Sequence, residues 1–174
     1  DLHYKINVEG ARSMMEAAMA ADLEKIVYTS SIAAIGINKG TISNEETPFN
    51  GWSWASDYIL SKFISHHVVK GMVARGLPAT LVMPGLPFGP GDRAPTPTGT
   101  MILNVLKGKA GNWWQGGLCP VDVRDVARGH LLVLLPEGGV HLPAIGGVFV
   151  WDDDTFLTEN PLIKADDGLY RFWC

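Results

Sequence analysis

Cysteine is scarce. Cys119 and Cys174 are the only two in 174 residues, too few for a disulfide framework, so a reducing, cytoplasmic setting is expected. Positive charge is sparse as well: 14 Lys and Arg face 18 Asp and Glu, a formal net charge of −4, and no basic run occurs. Nucleic acids and anionic membrane surfaces select clustered positive charge, so neither is an expected partner. Long apolar runs are missing too. The most apolar region, His130 to Trp151, is interrupted by Pro136, Glu137, Pro143 and several glycines, which excludes a bilayer span there. The opening DLHYKINVEG has the pattern of neither a signal peptide nor an apolar anchor. No metal site is expected either. His66 and His67 are neighbours that diverge by about 100° on a helix, and read as helix surface or interface. Asp152, Asp153 and Asp154 lack the alternation and glycine of a calcium loop.

What remains is the composition of a well-buried globular domain, 47% apolar and 18% charged. Lys5 to Ala21 has the apolar spacing of an amphipathic helix, with Met14, Met15 and Met19 as packing residues. A charged turn at Asp22 to Lys25 leads into IVYTSS, a β-branched and aromatic run typical of a buried strand. A polar loop from Ala34 to about Ser56 is long enough to suggest function. Asp57 to about Arg75 is helical in pattern and is stopped by Gly76. ATLVMP reads as a second strand, Gly85 to Gly99 as a Gly/Pro-dense loop, and Thr100 to Lys107 as a helix. VDVRDVARGHLLVLL reads as a short strand feeding another helix. Helix and strand alternating through short turns predict an α/β fold with a parallel sheet. From Pro136 onward no element is predicted. Trp113 and Trp114 read as core or interface before substrate pocket.

The chemistry-bearing stretch is SDYILSKF, Ser56 to Phe63. Positions i and i+4 share a helix face, so Tyr58 and Lys62 can address one spot. A phenol's ordinary pKa near ~10 is too high for proton transfer at neutral pH. A neighbouring ammonium favours the phenolate and makes the tyrosine a usable acid or base. Ser31, at the end of IVYTSS, would hold the substrate's reacting oxygen, and strand ends are where open α/β sheets place ligands. The bland alternative for Tyr58 and Lys62 alone is a solvated helix face.

Six segments, in order, carry more. NVEGA (7–11), IVYTSSIAAIG (26–36), YILSK (58–62), VMPGLPFGPGD (82–92), PTPTG (95–99) and VDVRDVARGHLL (121–132) resemble the extended short-chain dehydrogenase/reductase family. These are NAD(P)-dependent epimerases, dehydratases and reductases. Within that family the likeness is greatest to the dihydroflavonol-4-reductase-like, or hopanoid-associated sugar epimerase, branch. It covers about Leu2 to Leu135, and implies that residues 1–135 form part of an NAD(P)-binding Rossmann-like domain. That part is the C-terminal portion of a parallel sheet with flanking helices, the first βαβ units missing, with 136–174 an unassigned tail. The chain is thus expected to be an internal fragment of a longer enzyme.

The resemblance implies roles. Tyr58 matches the catalytic tyrosine, Lys62 the lysine that holds the nicotinamide ribose, and Ser31 the serine that orients the substrate oxygen. Ser30, Tyr58, Lys62, Pro84, Gly85 and Leu86 are the implied NAD- or NADP-binding residues. Asn7 matches an asparagine near the active site, taken as structural, and Ala11 stands where threonine is usual. Asp122 and Asp125 are expected to hold a loop and the helix after it. The glycine-rich strand-to-helix turn that cradles a cofactor's pyrophosphate has no counterpart in this sequence. The family also implies a homodimer through helices near 5–21 and 57–75, and a small-molecule substrate such as a nucleotide sugar or a hydroxy or keto compound. A rival expectation comes from another class: a non-catalytic α/β module that binds another protein or itself.

Overall fold

The structure is a computed structural model describing residues 2–109 and 117–135. The predicted tail beyond Pro136, and with it the aspartates at 152–154 and Trp113 and Trp114, lies outside those residues. The chain forms two compact units, one of residues 2–84 with 130–135, the other of residues 85–109 with 117–129.

The first unit opens with α1 (Leu2–Tyr4), a π-helical turn (Lys5–Gly10) and α2 (Ala11–Ala20), continuous in backbone conformation across both junctions. Ala11, Met15 and Ala18 pack on the core, the i, i+4, i+7 spacing of one helix face. Met14 and Met19 are exposed, so of the three methionines expected to pack only Met15 is buried. Met14 and Met19 lie on either flank of that stripe, about 60–80° from its centre at 3.6 residues per turn, where solvent reaches them. Asp22 adopts a left-handed φ of 51° and Leu23 N–H reaches back to Ala18 O at 3.3 Å, which closes the helix as a C-terminal left-handed residue does.

Strands β1 (Ile26–Thr29) and β2 (Ala79–Val82) pair in parallel, Ile26 opposite Ala79 and Thr29 opposite Val82. The ladder runs past the strands, with Ser30 N–H on Val82 O at 2.8 Å and Ile32 N–H on Pro84 O at 3.2 Å. Parallel neighbours need a long crossover, and α3 (Asp57–Val73) supplies it. Ser56 caps α3 by accepting from Ile59 N–H at 3.4 Å. Gly76, at φ 104°, ends the segment as expected.

α3 has little amphipathic contrast because its buried face is partly polar. Ser61, Ser65 and His66 are buried together with Val69 and Met72. Both serine hydroxyls donate to their own helix, Ser61 to Tyr58 O at 2.7 Å and Ser65 to Lys62 O at 3.1 Å, a local pairing that lets a hydroxyl be buried. Met15, Ile26, Val69, Met72 and Leu77 form the core of this unit.

The predicted loop 34–56 begins with a 3-10 turn (Ile32–Ala34) that packs on α3. The Asn50 side chain clamps Ile37, accepting from its N–H at 3.0 Å and donating to its O at 2.9 Å. A Cβ on Gly36 would stand 2.0 Å from Pro48 O, so the backbone passes where only glycine fits. Phe49 then tilts against Phe63 of α3 with ring centroids 4.5 Å apart, and Trp52 meets Phe63 edge-on at 5.1 Å.

In the second unit, β3 (Leu86–Phe88) and β4 (Pro120–Asp122) pair in parallel, Leu86 opposite Pro120. The stretch read as a Gly/Pro loop therefore contains a short strand, whose Pro87 hides the β signal because proline cannot donate to a ladder. Helix α4 (Pro97–Leu106) is capped by Thr96, which accepts from Gly99 N–H at 3.1 Å, and Thr96 is itself held by the Asp92 carboxylate. A cavity of about 280 Å³ lies between Phe88, Pro90, Asp92, Thr96 and Val123. Helix α5 (Val123–Leu134) follows β4. No helix among the described residues is long and apolar enough to cross a membrane.

Candidate active site

Tyr58 stands in the first turn of α3 and Lys62 one turn on, so four-residue spacing gives them one stripe of the helix. Tyr58 is 44% exposed, and its ring meets the His3 imidazole edge-on at 6.0 Å. Lys62 is half-buried, and that burial pulls its ammonium pKa below the ordinary 10.5, because a low-dielectric surrounding disfavours the charged form.

Ser31 follows β1 and caps the 3-10 turn, its Oγ accepting from Ala33 N–H at 3.1 Å. That bond uses the oxygen as an acceptor and leaves the hydroxyl's proton to be donated elsewhere. Since the turn packs on α3, the fold brings the Ser31 segment to the helix of Tyr58 and Lys62. Pro84 joins them through its carbonyl, which accepts from Ile32 N–H. Gly85 and Leu86 belong to the second unit. There a Cβ on Gly85 would lie 2.4 Å from Cys119 O, which gives this glycine a packing reason of its own.

Two polar links escaped the sequence reading. The Asn7 amide, in the π-helical turn, donates to Ser61 Oγ at 2.9 Å, and Ser61 donates to the Tyr58 carbonyl. π turns of this kind often mark functional positions. The second link joins Ser30 Oγ and His66 Nδ1 at 2.9 Å. His66, read from sequence as surface or interface, is 4% exposed and Ser30 3%. The imidazole pKa is lowered to about 4, first by burial and then by the charges of His67 and Lys70, so His66 is neutral at neutral pH. The only signal for either link was a polar residue at buried helical spacing. His67, by contrast, is exposed and tilts against Phe63 at 4.3 Å.

In the second unit Asp122 is buried and receives Arg124, through both backbone N–H and guanidinium. The Arg124 hydrogen bond holds its carboxyl below the ordinary range. No group of His, Cys, Asp or Glu suited to a metal occurs among the described residues.

The parallel pairing of β1 and β2 through the α3 crossover is a Rossmann-like α/β arrangement. The chain belongs to the NAD dependent epimerase/dehydratase family, which it matches over residues 1–143. A Synechocystis protein named "Putative dihydroflavonol 4-reductase" is 38% identical over 130 residues, spanning 74% of this chain and 38% of that one. Sterol demethylase protein B of Methylococcus capsulatus is 34% identical over 131 residues, 75% of this chain and 40% of that one. Among solved structures, gox2253 superposes with a TM-score of 0.71 at 43% identity, covering 75% of this chain and 40% of that one. The chain therefore spans about two-fifths of the length of these relatives.

Proposed function

We propose that this chain carries the acid–base portion of an NAD(P)-dependent reductase or nucleotide-sugar epimerase, with Tyr58 as proton donor and acceptor. The observation that carries the reading is the meeting of the Ser31 turn with α3, where Tyr58 and Lys62 share one stripe. The residues present fit the nicotinamide end of such a cofactor. Lys62, half-buried with a lowered pKa, suits a ribose hydroxyl, and Ser30 and Pro84 would line the remainder. When bound, the cofactor accepts or delivers a hydride at a hydroxyl or carbonyl carbon.

The chain's own residues manage the proton. Ser31 donates to the substrate oxygen and fixes its position. Tyr58 Oη delivers a proton to that oxygen in reduction, or takes one in oxidation. Exposed Ile6, Met14, Met19 and Ile64 on the first helical segments and α3 would be covered in a homodimer.

The same exposed side chains support the rival, a non-catalytic interaction module. An NADH and NADPH titration followed by energy transfer from the tryptophans separates the two. Saturable binding, weakened in Lys62→Met, supports the enzyme reading. A folded chain that binds neither cofactor supports the module.

A further inference from the structure

We propose that His66 is a positioning residue that holds the Ser30–Ser31 end of β1 against α3 through the Ser30 hydroxyl. Tyr58, Lys62 and His66 follow one another at four-residue steps, so the imidazole continues the stripe of the candidate site one turn deeper. Its partner lies 36 residues away in sequence, and both side chains are buried. Ser30 is then tied from two sides, its backbone N–H to Val82 O at 2.8 Å and its hydroxyl to His66 at 2.9 Å.

Neighbouring residues on an extended backbone point to opposite faces. Fixing Ser30 therefore sets the backbone from which Ser31 projects. The neutral imidazole suits this task, because it can take the Ser30 proton at Nδ1 or give its own, whereas a charged one would face burial. An aliphatic residue at 66 would fill the volume and leave a buried hydroxyl unsatisfied.

The consequence for catalysis rests on the functional reading above, so the test has a readout that does not. In the full chain, His66→Asn places an amide atom near the Nδ1 position and keeps a partner for Ser30, while His66→Leu removes it. Amide hydrogen exchange is measured in both and in Ser30→Ala. His66→Leu and Ser30→Ala are expected to raise exchange at Ser30 and Ile32–Ala34 about tenfold or more. Val69 and Met72 should change far less, and His66→Asn should stay within about threefold of the parent. A uniform rise through the unit, no rise, or an Asn variant as fast as the Leu variant overturns the proposal. Where the parent turns over, kcat should follow the same order with KM nearly constant. A parent without turnover would count against the functional reading alone, since the exchange pattern still decides the positioning role.

Discussion

Both units hold polar side chains by local hydrogen bonds, and the first adds bonds between distant elements. In the first, hydrogen bonds reach across the chain: Asn7 to Ser61, Ser30 to His66, Thr29 to His130. In the second, Asp92 grips Thr96 four positions on and Asp122 grips Arg124 two positions on. Long-range bonds fix one element against another. Local bonds shape a turn or a helix start. The candidate acid–base residues sit in the unit built the first way, where geometry depends on the whole unit being folded. Damage there should spread, and damage in the second unit should stay local.

The largest expected effect is on the core that carries those long-range bonds. Leu77→Ala, at a fully buried position, should cost about 2–5 kcal/mol in urea denaturation. Gly36→Ala, which drives a methyl into the Pro48 carbonyl, should cost about 1–3 kcal/mol. Asn7→Ala should cost about 1–2 kcal/mol, since Ser61 loses its donor, and should lower turnover more than a surface change does. Thr96→Ala, a local cap in the second unit, should cost about 1 kcal/mol, with exchange changes confined to the start of α4. A Thr96 variant that loosened the whole second unit would erase the contrast.

Acid sharpens the comparison. The folded-state pKa of His66 is lowered from 6.5 to about 4, so between those values the unfolded chain binds a proton that the folded chain refuses. Stability should therefore fall as pH drops from about 6.5 toward about 4, and His66→Asn should flatten that slope. Asp122 also has a lowered folded pKa. Its contribution is present above the unfolded value and is lost as pH falls through the folded one. Equilibrium unfolding across that range, in the parent and the Asn variant, separates the two.

Much of the fold was legible because periodicity and stop signals are local properties. Apolar spacing marked α2, β-branched residues marked β1 and β2, and Gly76 marked the end of the crossover segment. β3 was hidden by Pro87, and the anchoring of the 34–56 loop depends on Asn50 and Phe49 meeting partners that no local pattern announces. The site divided along the same line. That Tyr58 and Lys62 share a helix stripe was legible because one helix carries both. Ser30 and His66 were not read as a pair, since a serine and a histidine 36 residues apart give no joint signal until β1 and α3 pack.

The most direct test of the central claim is the turnover of Tyr58→Phe in the full chain, with circular dichroism and cofactor affinity measured on the same sample. The account predicts a loss of at least about a hundredfold in kcat, with fold and cofactor affinity kept. Parent-like turnover from a folded Phe variant would contradict it.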